Sequence, residues 1–572
     1  LQRHLKAFRL LVSVFVLVAV GFLFLDFRAT LPSEWFRGLT WLQFVPSLSH
    51  FFQALKHGWV VTAYGFLVVL LLSLLFGRVY CSFLCPLGVL KDVLGWFSAK
   101  LRKKKRRFRF APPKTWLRYS ILLAVGLSLL ANSFFLVSLL DPYSNFGRFL
   151  SGLFRPAYML GNNLLATTLE ALGSYALFPS TLPHTPVLAL LLPGAMLLLV
   201  VWLAVKKGRL YCNTVCPVGA LLGLLAKRSL FQIRFHAADC NRCGNCVFAC
   251  KAQCIDIRNH RVDFGRCVGC GNCIRACSQN GIRYSLAFAY KPKGTAGGAL
   301  QGGQKGGGSS ICFQKASTPP PPLDTPEQRG HNTPPPPLDT LKRRFILGGT
   351  RLLAVVGGLS LKKVWAQNRP HKKDETLPRG RSRVKLLPTH LPSPPGSLAR
   401  EHFAGACTAC HLCVSACPTG VLRPSFLEYG FSGMMQPFMD YSGNFCNYEC
   451  KRCTEICPSG ALVPLSVEEK QTTQVGVVRF ERENCVVVSE GTSCGACSEH
   501  CPTKAVRMVA YRGELTLPET EPDICIGCGA CEYACPVTPY KAIVVDGLPR
   551  HQRAQKPEEE ALKEKPLEEF PF

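Results

Sequence analysis

Acidic side chains are scarce in this chain of 572 residues: 36 Asp and Glu stand against 67 Lys and Arg, for a formal net charge of +31. Two segments, 27–57 and 141–184, are in turn poor in Lys and Arg. The basic run KLRKKKRRFRF at 100–110 falls between two long apolar stretches. A topological role accounts for it there, and no nucleic-acid partner is expected. We read no haem-attachment, flavin or molybdopterin site in the chain, and no output domain of a sensor. No terminal catalytic centre is therefore expected within it.

Long apolar stretches are abundant. Four of them, near 7–26, 58–77, 117–140 and 185–205, approach the roughly 20 residues that cross a bilayer. A fifth, 157–178, carries Asn162, Asn163 and Glu170 and is expected at the surface or in a loop. Arg3, Lys6 and Arg9 precede the first stretch, the basic run follows the second, and Lys206, Lys207 and Arg209 follow the fourth. That bias puts the N-terminus and the return near 206 on the inner side. Residues 1–232 are expected to form an α-helical bundle of four spans in membrane lipid.

One phrase occurs twice. GRVYCSFLCPLGVL at 77–90 and GRLYCNTVCPVGAL at 208–221 share eight of fourteen positions. Each begins where an even-numbered span ends, so span, span and phrase form a tandem unit. Such a unit suggests a pseudo-two-fold axis along the membrane normal, which brings Cys81, Cys85, Cys212 and Cys216 towards one another. In the plain reading these are small buried residues at helix ends, each Pro starting the next helix. In the chemical reading they form one redox or metal centre near a quinone-reactive site on the inner face. Arg78 and Arg209 then either reach out to the interface or favour the thiolate. Both copies keep their cysteines while the residues between them change from SFL to NTV, which favours chemistry.

Of the 30 cysteines, 24 fall in six motifs. The runs CNRCGNCVFAC and CVGCGNCIRAC place Cys240, Cys243, Cys246, Cys250 and Cys267, Cys270, Cys273, Cys277. Four more runs place Cys407, Cys410, Cys413, Cys417; Cys446, Cys450, Cys453, Cys457; Cys485, Cys494, Cys497, Cys501; and Cys525, Cys528, Cys531, Cys535. This is the spacing of bacterial [4Fe–4S] sites, in which the fourth cysteine of a paired motif ligates the other cluster. One cluster is thus assigned to Cys240, Cys243, Cys246 and Cys277, the other to Cys267, Cys270, Cys273 and Cys250. The pairing within the last four motifs stays open. Lys251 and Ser278 stand where Pro usually follows the fourth cysteine. Zinc sites separate their cysteine pairs by longer spacers, so six [4Fe–4S] clusters are expected and disulfides are not. Cys254 is read as a small buried residue and Cys312 as incidental. The fold class is thus a helical membrane bundle plus α+β ferredoxin-like domains, at 233–291 for two clusters and 367–550 for four.

Residues 292–341 read as a Gly- and Pro-rich linker. The segment 342–366 opens with Arg343 and Arg344 before a modest apolar run at 345–361. It resembles a twin-arginine export signal or a fifth span; the competing reading is a helix packed on the first ferredoxin domain. Residues 551–572 form a charged tail.

With its spans, paired CxxxCP phrases and two-cluster run, 1–290 resembles the NapH-type membrane ferredoxin of periplasmic nitrate reductase systems. Residues 341–548, with the lead-in LPSPPGSLAREHFAGACTACHLCVSACPTG, resemble the NapG-type exported ferredoxin. The resemblance implies an electron-transfer subunit of quinol dehydrogenase type in a bacterial inner membrane, with the first ferredoxin domain cytoplasmic and the second periplasmic. Its partners are then the quinone pool, or a cytoplasmic donor, and a periplasmic cytochrome or reductase. A related architecture in copper-handling assembly proteins gives the alternative, a maturation factor whose CxxxCP thiolates handle copper.

Overall fold

A computed structural model describes residues 5–26, 28, 31–44, 60–101, 108–131, 133–180, 182, 187–236, 239–287 and 384–556. The chain divides into Leu1–Lys291 with Arg383–Phe572, and Pro292–Ser382. The linker 292–341, Cys312, the segment 342–366 and residues 557–572 of the tail lie outside the described residues.

Helix α1 (Leu5–Leu25) sets the frame of the first unit. Val16, Val20, Leu23 and Phe24 are buried, a helical spacing that turns one face inward. Leu11 and Phe15, 71% and 67% exposed, face out. Helices α2 (Val60–Phe76) and α3 (Pro86–Leu101) follow. Among the described residues, two helical stretches are long and apolar enough to cross a membrane, Lys6–Leu25 and Leu188–Lys207; Phe66–Phe76 and Thr115–Leu130 are shorter apolar helices.

The stretch 117–140 is not one continuous helix. Helix α4 (Thr115–Leu130) ends in a turn closed by Ser133, whose N–H donates to Ser128 O at 2.9 Å while Ser128 Oγ donates to Ser133 O at 2.6 Å. Helix α5 (Phe135–Leu140) then shares one apolar core with α4, through Val125, Leu129, Phe134 and Val137. It lies alongside α4 instead of extending it. The chain turns again at Asp141 and Pro142. Asp141 caps α6 (Pro142–Phe149), accepting from Ser144 N at 2.8 Å, and every residue from 141 to 149 is buried. A π-helical turn, Leu150–Phe154, joins α6 to α7 (Arg155–Ala171). The stretch 157–178 therefore lies at the surface as expected, but its first part is helical. Helices α8 (Val187–Lys207) and α9 (Pro217–Ala226) complete the bundle.

The first ferredoxin domain opens at β1 (Phe231–Phe235), two residues before the expected boundary. β1 pairs antiparallel with β4 (Ile282–Leu286), and β2 (Ile255–Asp256) with β3 (Arg261–Val262). In the second domain β5 (Leu422–Pro424) pairs with β6 (Pro437–Met439), β7 (Thr473–Phe480) with β10 (Ile543–Arg553), and β8 (Val506–Arg512) with β9 (Leu515–Thr520). β10 carries residues 551–553 into the sheet, so the tail begins later than its charge suggests.

The two ferredoxin domains meet opposite ends of α1. Near its start, Arg9 shares the Asp92 carboxylate with Lys251 of the first domain, at 3.3 and 3.4 Å. Past its end, Leu31 O accepts from Arg452 of the second domain at 2.7 Å, and Phe36 lies under the same guanidinium. Twenty-one helical residues span roughly 31 Å, close to the thickness of a bilayer's hydrocarbon core.

Candidate functional site

Four of the six cysteine runs fold into loops through paired left-handed turns. In CVGCGNC, Gly269 and Gly271 take φ of +64° and +68°, a region glycine enters without penalty. Ala409 and His411 adopt +51° and +62° at the same places in the third run. These turns aim amides at sulfur: Gly269 N donates to Cys267 Sγ at 3.5 Å and Ala409 N to Cys407 Sγ at 3.4 Å. Short helices, Asn272–Ala276, Leu412–Ala416 and Ala530–Ala534, then carry the chain to the fourth cysteine.

The fourth cysteine turns away to its partner motif. Cys240, Cys243, Cys246 and Cys277 line one cavity, and Cys250, Cys267, Cys270 and Cys273 line another. The same exchange resolves the pairing left open in the second domain. Cys417 joins Cys446, Cys450 and Cys453; Cys535 joins Cys485, Cys494 and Cys497; Cys501 joins Cys525, Cys528 and Cys531. Cys457 shares a small core with Cys407 and Cys413. Among the described residues no cysteine is in a disulfide, and no three Cys, His, Asp or Glu converge on a single metal ion. Four thiols around one largely apolar cavity fit an iron–sulfur cluster.

Residues 407–411, CTACH, do spell the haem-attachment spacing CxxCH, so the reading that the chain has no such site is corrected at the level of sequence. The structure gives His411 another task. Its Nε2 meets Met435 O at 2.8 Å and its Nδ1 meets Ser151 Oγ at 3.3 Å. Both ring nitrogens are engaged, and burial pushes its pKa down to about 3.

Cys81, Cys85, Cys212 and Cys216 lie together in one core with Tyr80 and Tyr211. The two repeats are wired reciprocally. Arg78 Nη2 donates to Cys212 O at 2.8 Å, and Arg209 Nη1 donates to Cys81 O at 2.6 Å. Gly88 N donates to Cys85 Sγ at 3.4 Å and Gly219 N to Cys216 Sγ at 3.3 Å. Arg78 and Arg209 do not reach out to the interface. They are 0% and 1% exposed, because each guanidinium satisfies a buried carbonyl of the other repeat. Pro86 and Pro217 begin helices, as the plain reading also requires.

Sequence reasoning missed what breaks this symmetry. Lys91 and Asp92 belong to the first copy; the positions 131 residues on hold Leu222 and Gly223. That departure was the available signal. Lys91 Nζ sits 3.8 Å from Cys212 Sγ and over the Tyr211 ring. Burial raises the Cys212 pKa, but Lys91, Arg209 and Arg78 together hold it below the ordinary thiol value, whereas burial and neighbouring thiols push Cys216 up. Asp92 binds Arg209 at 2.9 Å, Arg9 at 3.3 Å and Lys251 at 3.4 Å. It thereby ties α1, both repeats and the first ferredoxin domain to one carboxylate. Cys254 is buried, at 1% exposed.

Left-handed cysteine loops, exchanged fourth ligands and paired short strands define an iron–sulfur protein of ferredoxin type. Family comparisons agree. A 4Fe-4S binding domain matches residues 59–108 and again 188–236, one match to each repeat. Two 4Fe-4S dicluster domains match 445–505 with 492–539, and 406–462; a further 4Fe-4S binding domain matches 260–283. The chain is 34% identical over 153 residues to ferredoxin-type protein NapG of Escherichia coli K12, covering 25% of this chain and 64% of that protein. It is 33% identical over 150 residues to the methylamine utilization ferredoxin-type protein MauM of Methylobacillus flagellatus, covering 25% and 62%. To ferredoxin-type protein NapF of E. coli K12 it is 27% identical over 158 residues, covering 28% and 86%. The chain thus spans less than two thirds of the length of these NapG and MauM relatives. No solved structure matches it.

Proposed function

We propose that this chain is a membrane-bound electron conduit. In this reading a four-span bundle in a bacterial inner membrane separates a cytoplasmic two-cluster domain from a periplasmic four-cluster domain. It links quinol, or a cytoplasmic donor, to a periplasmic reductase system of nitrate reductase type. One observation carries the reading. A single apolar core contains Cys81, Cys85, Cys212 and Cys216, takes in Val268 and Cys270 of the first domain, and reaches Cys410 of the second. Tyr143, Phe146, Phe149 and Phe24 fill the stretch between the thiols and Cys410, with Phe24 centred 6.0 Å from Tyr143 and 6.4 Å from Phe146.

Six [4Fe–4S] clusters, when bound, supply one-electron carriers whose potentials the surrounding protein sets. The chain's own part is to align their thiols, keep water out of the intervening core and hold the four CxxxCP thiols beside Cys270. The relatives named ferredoxin-type proteins NapG, MauM and NapF support the electron-transfer part of the reading.

Topology tests this reading. A periplasm-dependent reporter fused after residue 556 should be active, and one fused after residue 287 silent. Silence at both positions overturns the transmembrane conduit. Tight Cu(I) binding by the four CxxxCP thiols, abolished by serine at all four, would favour the copper-handling alternative.

A further inference from the structure

Four of the thiol cavities share one wall position, the residue four places after the exchanged cysteine. It is Gly281 after Cys277, Val421 after Cys417 and Ala505 after Cys501. In the remaining cavity it is Cys254, four places after Cys250. Three of these cavities thus have an apolar wall at that point, and one has a fifth thiol. Cys254 Sγ lies 3.5 Å from Cys250 Sγ, and the same thiol is in hydrogen-bond reach of Cys267. Both neighbours line that same cavity with Cys270 and Cys273. Four thiolates complete a [4Fe–4S] site, so the fifth thiol is surplus to ligation and stands between two ligand sulfurs.

We propose that Cys254 is a redox-tuning residue, its one S–H donating to a ligand sulfur, that of Cys250 or of Cys267, and raising the reduction potential of the cluster those thiols hold. The inference rests on the iron–sulfur reading of the four-thiol cavities. Reduction adds one electron and concentrates negative charge on the thiolate sulfurs. A donor fixed against them stabilises the reduced form more than the oxidised one, and hydrogen bonds to sulfur are one of the levers on cluster potential. No proton is transferred; the thiol remains a donor in both states. The position gives the effect a purpose. Most thiols of both cavities share one core, but Val268 and Cys270 of this loop also join the core that holds the four CxxxCP thiols, which none of Cys240, Cys243, Cys246 and Cys277 does. Cys254 therefore makes the site facing the bundle the place where an electron rests within the first domain.

The test uses the full chain, purified anaerobically, as wild type, Cys254→Ala and Cys254→Ser. Iron and sulfide are counted, and an EPR-monitored redox titration follows each signal. Alanine should move one signal, lowering its reduced-to-oxidised ratio at fixed poise about tenfold, which is about 59 mV for one electron, with iron content unchanged. Serine keeps a donor and should recover most of the shift. Potentials unmoved in a Cys254→Ala protein with full iron content overturn the proposal. Loss of one cluster's iron from that variant overturns it too, making Cys254 a ligand. A wild type without iron–sulfur signals would instead strike the cluster reading itself.

Discussion

At the scale of single residues, the buried arginines carry the most structural consequence. Arg209 satisfies Cys81 O and is the nearest of the three cations around Asp92. Removing one partner of a buried ion pair costs about 3–5 kcal/mol because the other charge is left behind. Arg9 and Lys251 remain in Arg209→Met, so we expect a loss near the bottom of that range, seen as a lower unfolding temperature in detergent. Asp92→Asn in the same chain removes the partner of the buried Arg9 as well and should deepen the loss; a single variant as stable as wild type would mean the network does not hold the repeats together. A second titration belongs to His551, whose Nε2 meets Ser393 Oγ at 2.9 Å and Ser397 Oγ at 3.2 Å. Burial pushes its pKa down to about 4. The folded state then binds fewer protons than the unfolded chain between about pH 6.5 and 4. Its contribution is full above that window and is lost as pH falls through it. His551→Gln should flatten the fall in melting temperature of the full chain across that window relative to wild type; parallel curves would contradict the assignment.

At the scale of elements, the contact between α6 and the second ferredoxin domain is close enough to test by adding one side chain. Gly147 lies against Cys410 O and the Phe24 ring, with no space for a Cβ. Gly147→Leu should unseat the helix Leu412–Ala416 from the bundle, read as at least tenfold faster amide exchange there with the cluster content retained. Unchanged protection would show that the domain does not dock at α6. The cysteine loops were legible in sequence because their ligand spacing is local to one short run, whereas the pairing of the last four motifs, which joins separate runs, was not. The two-fold arrangement of CxxxCP phrases was legible because it repeats. What was not legible depends on partners far along the chain. An apolar run such as 117–140 has the same pattern whether it continues or folds back, and only the Ser128–Ser133 turn decides. For Arg78 and Arg209 the sequence left open whether they reach the interface or favour the thiolate, because the carbonyls they satisfy lie 134 and 128 residues away. His411 joins the third cysteine loop to Ser151 of the bundle, a partner 260 residues away.

At the scale of the whole molecule, the account requires six filled sites in one chain. Twenty-four cysteines in six motifs, at four thiolates each, predict about 24 iron and about 24 sulfide per chain under anaerobic purification. A folded preparation rich in zinc and poor in iron would contradict the assignment. The central claim concerns the four buried thiols between the two ferredoxin domains. Its most direct measurement is cluster reduction by a quinol analogue, followed by EPR on wild type and on the variant Cys81→Ser with Cys212→Ser in liposomes. The account predicts that the variant keeps its iron and its helices while reduction slows at least tenfold. An unchanged rate in a fully loaded, folded variant would make the repeated phrase a packing motif and remove the thiols from the electron path.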